Sequence, residues 1–106
     1  MPSDRLRAGE RRARVRFLTS DEGGRSSPPA SGVRSQVELG EVQTSCIVES
    51  ATGLDVLPLG EELTVVIRVL FVDQAADAFA GLTSLELFEG SKRVATGVFL
   101  DGQGGA

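Results

Sequence analysis

The decapeptide Leu63-Thr-Val-Val-Ile-Arg-Val-Leu-Phe-Val72 is β-branched or apolar at almost every position. Alternation places Leu63, Val65, Ile67, Val69 and Phe71 on one face, as in a central strand of a sheet. Downstream, Ser84-Leu-Glu-Leu-Phe-Glu89 alternates in the same way. Gly90-Ser91-Lys92 then supplies turn residues, and Arg93-Val-Ala-Thr-Gly-Val-Phe-Leu100 runs back, so this stretch reads as a β-hairpin. Upstream, further strands are expected near Arg14 to Thr19, Arg34 to Leu39 and Thr44 to Glu49. Val65, Ile67, Val69, Leu85, Leu87, Val94 and Val98 are expected to share one core.

Between these runs stand Gly23-Gly24, Pro28-Pro29, Gly32, Pro58 and Gly60, which break regular structure. Only Ala75 to Leu82 has room for a helical turn. Short strands separated by turn residues indicate an all-β barrel or sandwich. The 106 residues suit one domain. With 41% hydrophobic and 25% charged residues the chain has the composition of a folded protein. Residues 1–12 are expected to form a flexible basic arm, 13–101 the barrel, and 102–106 a flexible tail.

Charge is unevenly spread. Residues 1–16 carry six arginines against Asp4 and Glu10, a balance of +4, and the rest of the chain carries −8. A broad nucleic-acid face is therefore not expected on the body, because phosphate neutralisation needs clustered cations. The single cysteine, Cys46, has no partner for an internal disulfide, and no stretch reads as a cleavable leader, so a cytoplasmic location is expected. No apolar run reaches the roughly 18 to 20 residues of a membrane-spanning helix; Arg68 interrupts the longest.

The chemistry is narrow. Histidine, tyrosine, tryptophan and asparagine are all absent, which rules out a Ser-His-Asp or Cys-His relay and leaves no plausible zinc set. Cys46 lies within an expected strand and reads as a small buried hydrophobe with no base nearby to activate it. Glu61 and Glu62 open a strand, where neighbours point to opposite faces and do not converge on one substrate. No catalytic residue, metal or cofactor is expected.

Three segments resemble the C-terminal barrel domain of elongation factor Tu. The first is Phe17-Leu-Thr-Ser-Asp-Glu-Gly-Gly-Arg-Ser-Ser-Pro-Pro-Ala-Ser-Gly-Val-Arg-Ser-Gln36, similar to that family's strand followed by Glu-Gly-Gly-Arg, Pro and Gly-Tyr-Arg-Pro-Gln. The second is Leu57-Pro-Leu-Gly-Glu61, similar to its turn before a long strand. The third is Phe88-Glu-Gly-Ser-Lys-Arg-Val-Ala-Thr-Gly-Val98, similar to its closing hairpin. The resemblance covers roughly residues 13–101 and implies a single six-stranded antiparallel β-barrel.

In that family the domain contacts aminoacyl-tRNA, elongation factor Ts and the GTPase domain. Carried over by position, the resemblance implies a partner-binding site at Arg25, Ser26, Gln36, Ser45, Glu89 and Gly90. Here Ser26 replaces a histidine or similar residue, Val33 a tyrosine, Ser35 a proline, and Phe88 and Glu86 an arginine and a small residue. Arg25 stands on a glycine-rich loop, where it either pairs with Asp21 or Glu22 or contacts a partner directly.

The expectation is a non-catalytic binding module for a protein partner, with no membrane involvement. The alternative is RNA, such as tRNA, bound through the Arg25 loop and the arginine-rich arm. Polar-to-apolar changes such as Val33 and Phe88 lead us to expect a homodimer. Because the sequence contains no Gly-x-x-x-x-Gly-Lys-Ser/Thr loop, the purified chain is expected neither to bind nor to hydrolyse GTP. Saturable heat on titrating GTP in a calorimeter would contradict this.

Overall fold

Alternation of apolar residues sets the way each strand sits. In β1 (Glu10–Phe17), Arg11, Ala13, Val15 and Phe17 point inward and are buried, and the residues between them face outward. The same period governs β2 (Val33–Leu39), β3 (Val42–Ser50), β4 (Glu62–Val69) and β5 (Ser84–Glu89). β6 (Lys92–Phe99) departs from it. The computed structural model describes residues 9–40, 42–70 and 77–100. Phe71, expected on the core face, lies outside them, as do residues 1–8 of the expected arm and the tail at 102–106.

The strands close into an antiparallel barrel in the order β1-β4-β3-β2-β5-β6. The chain is thus all-β, with six strands and a closed sheet. No helix among the described residues is long and apolar enough to cross a membrane. β1 begins at Glu10, inside the stretch expected to be an arm, so Arg11 and Arg12 stand in the barrel wall.

Val65, Ile67, Val69, Leu85, Leu87 and Val94 enter the core as expected. Val98 does not: 49% of its surface is exposed. The cause is a β-bulge. Phe88 pairs with Arg93 and Leu87 with Ala95, so Val94 is an extra residue in the ladder. One inserted residue inverts the alternation beyond it. Val94 and Ala95 are therefore both buried, Phe99 packs against the core, and Val98 is turned outward.

One end of the barrel is plugged by a cation. Arg11 points inward, is 7% exposed, and places its guanidinium 3.8 Å from the Phe99 ring centre and 5.6 Å from that of Phe79. The two rings meet edge to face at 5.5 Å. Phe79 belongs to a helical turn at 77–80, inside the stretch where one was expected, and its carbonyl accepts a hydrogen bond from Arg11. Such a desolvated cation–π contact contributes on the order of 1 to 2 kcal/mol.

The long connections run along one another. Leu57 N–H donates to the Pro29 carbonyl at 2.8 Å, and Ser31 N–H to that of Asp55 at 2.9 Å. These bonds hold the end of the Ser20–Gly32 loop against the body, and Leu57 is fully buried beneath them.

Gly97 is needed where β6 crosses β1. A Cβ there would overlap the carbonyl oxygen of Arg14 and lie 2.7 Å from Cγ1 of Val15. Gly97→Ala is expected to cost about 1 to 3 kcal/mol through overpacking, measured as a lowered midpoint in urea denaturation with an unchanged slope.

Candidate functional site

The glycine-rich loop leaves β1 through a tight 3-10 turn at Ser20–Glu22. The Glu22 carboxylate accepts hydrogen bonds from Thr19 N–H at 2.9 Å and from Arg16 at 3.0 Å. The Arg16 guanidinium, with help from the Thr19 N–H, lowers the Glu22 carboxyl from 4.5 to about 2. Gly23 follows in the left-handed region at φ 89°, and a Cβ on Gly24 would overlap the Leu18 carbonyl. The Gly-Gly pair thereby folds the chain back so that Arg25 reaches across to the β5–β6 hairpin.

There Arg25 pairs with Glu89, and its Nε donates to the Ser27 carbonyl at 3.0 Å. Its ionic partner is thus neither Asp21 nor Glu22; Glu22 is engaged by Arg16. The side chains of Arg25 and Glu89 are 25% and 31% exposed, which leaves them within reach of a visitor.

The Arg25–Glu89 pair separates two hollows. The larger is an open groove of about 460 Å³ lined by Arg25, Val33, Arg34, Ser35, Gln36, Ser45, Phe88, Glu89 and Gly90. The smaller, about 170 Å³, is lined by Arg25, Ser26, Ser27, Glu89 and Lys92. Five of the six site residues expected from sequence, Arg25, Gln36, Ser45, Glu89 and Gly90, share the larger groove, and Ser26 lies beyond the ion pair. They come from a loop, β2, β3, the end of β5 and the turn that follows it, far apart in sequence.

Sequence reasoning missed Arg34 and Lys92 as site residues. Arg34 is exposed and projects from the outer face of β2, the face of Gln36 two residues on. Period-two spacing from Gln36 was the signal for it. Lys92 is bound to the register of the hairpin, opposite Glu89, with its Nζ 3.5 Å from the Gly24 carbonyl.

Cys46 is fully buried on the inner face of β3. Burial pushes its thiol up to about 12, so the thiolate is not populated near neutral pH. Opposite it in the ladder is Ser35, 2% exposed, whose hydroxyl oxygen has no hydrogen-bond partner. Compared with known proteins, the chain matches no family model and no curated protein.

The low value of Glu22 has a sign that can be checked. A carboxyl whose folded value is depressed stabilises the fold above its unfolded value, and that contribution fades as pH falls from about 4.5 towards 2. Glu22 is expected to titrate near pH 2 by carboxyl-carbon NMR, and Arg16→Gln to move its midpoint up towards 4.5.

Proposed function

We propose that the chain is a non-catalytic binding module of the elongation factor Tu C-terminal-domain lineage, and that it recognises a protein through the groove beside Arg25 and Glu89. The convergence of Arg25, Gln36, Ser45, Glu89 and Gly90 on one groove supports this reading most strongly. The groove joins apolar Val33 and Phe88 to a paired charge at its rim, the mixture that protein interfaces use for anchoring and orientation.

RNA binding finds less support. It asks the Arg25 loop and the basic N-terminal stretch to act as one surface. Arg11 is buried, and Arg12 lies near the start of β1, whereas the Arg25 loop leaves β1 at its other end, beyond Phe17. The groove itself sets Arg25 and Arg34 against Glu89. A duplex or stem needs several phosphate contacts to bind with useful strength at physiological salt.

The test is capture on the immobilised chain from its native cell extract, with and without nuclease. A partner that survives nuclease is expected. Arg25→Ala is expected to weaken its binding by about 1 to 3 kcal/mol and to lower folding stability by less than about 1 kcal/mol, since the Glu89 pair is partly solvated. If Arg25→Ala and Phe88→Asp both leave capture unchanged, the groove is not the site.

A further inference from the structure

The seam between β2 and β5 is incomplete. β2 pairs with β3 from Val33–Val48 through Leu39–Val42, and β5 pairs with β6 along its whole length. Between β2 and β5, pairing among the described residues is confined to Gln36–Phe88 and Val37–Leu87. Continuing that register would set Ser35 against Glu89 and Arg34 against Gly90. Instead Gly90 enters the hairpin turn at φ 64°, and the ladder irregularity at Leu87 and Phe88 bends the strand at the same place.

The direction of the free main-chain groups follows from the hairpin. With two residues between them, Leu39 and Val42 form a hydrogen-bonded pair, so Leu39, Val37 and Ser35 direct their N–H and C=O towards β3. Gln36 and Arg34 direct theirs the other way. Gln36 meets Phe88, and Arg34 meets no strand. Its N–H and C=O open onto the 460 Å³ groove, a volume within the range of about 300 to 1,000 Å³ typical of ligand pockets.

We infer that this gap receives an extended peptide segment of the partner. The segment pairs its main chain with Arg34, seats an aliphatic side chain against Val33 and Phe88, and places a carboxylate beside the Arg34 guanidinium. The inference rests on the groove being the binding site and adds what enters it. Strand addition to an unpaired edge is a general mode of peptide recognition, in which main-chain bonds give affinity and side-chain pockets give selectivity. Two observations favour an acidic, aliphatic strand. Val33 and Phe88 are half-buried apolar walls. Arg25, Arg34 and Lys92 surround the single carboxylate of Glu89 at the two hollows.

The test is selection of a random peptide library on the wild-type chain with counter-selection on Phe88→Asp. Arg34→Glu, an exposed change that leaves the core untouched, serves as the second variant. Enriched peptides are expected to share an aliphatic residue with Asp or Glu within two positions. A synthetic consensus should bind at least tenfold more weakly to either variant. It should lose at least tenfold when the peptide nitrogen facing Arg34 is methylated, and should slow hydrogen exchange at the Arg34 amide.

Absence of enrichment, a consensus without an acid, or indifference to methylation overturns strand addition. So does perturbation of the Arg34 amide by bulk tRNA and by no peptide. If the peptide arm fails while capture of the protein partner still depends on Arg25 and Phe88, strand addition falls and the groove stands. If capture is independent of both residues, the groove reading itself has failed.

Discussion

Closure of a six-stranded sheet is the constraint on which the rest of this molecule depends. A closed sheet has no exposed edge to template aggregation, but its interior is narrow and every inward side chain must fit. Most strands meet this demand with Val, Ile and Leu at alternate positions. β6 meets it in two ways at once: Val94 is an extra residue that inverts the strand, and Gly97 lets it approach the β1 backbone. At the end of the barrel Arg11 fills the remaining space with its aliphatic stem while its charge rests on aromatic faces.

The same closure is weakest where the candidate site lies. The β5–β6 hairpin turns at Gly90 before β2 is fully paired, and the loop carrying Arg25 reaches over the opening to Glu89. A half-exposed ion pair of this kind adds little to stability, on the order of 1 kcal/mol or less. Its effect is geometric: it holds the loop on the hairpin and divides the surface into two hollows. The candidate groups are thus shared between a loop and a turn, which carry Arg25 and Gly90, and the strand wall, which carries Arg34, Gln36, Ser45 and Glu89.

Much of this was legible in residue order. Alternation in Leu63 to Val69 and in Ser84 to Glu89, with turn residues between, led to an antiparallel all-β body, and resemblance supplied the strand number and closure. What escaped had physical reasons. A bulge shifts one residue without altering composition, so Val98 looked like core although Thr96 and Val98 face outward. Arg11 looked like part of a basic arm because charge is read residue by residue, whereas its burial depends on Phe79 and Phe99, some 70 and 90 positions away. The convergence of the site residues followed from the resemblance, but the Arg25–Glu89 pair did not. Local spacing favours Asp21 and Glu22 as partners, and only the crossing of the loop over the hairpin brings Glu89 closer.

The lone cysteine turns the barrel into its own clock. Cys46 sits at a sheet position whose partners are Ser35 on one side and Val69 on the other, sealed from solvent and held as the thiol. A thiol-reactive dye added to the native protein can reach it only when β2, β3 and β4 part. The labelling rate therefore counts spontaneous openings of that wall. Since β2 is also the strand left partly unpaired at Arg34, a partner lodged in the gap would slow the count.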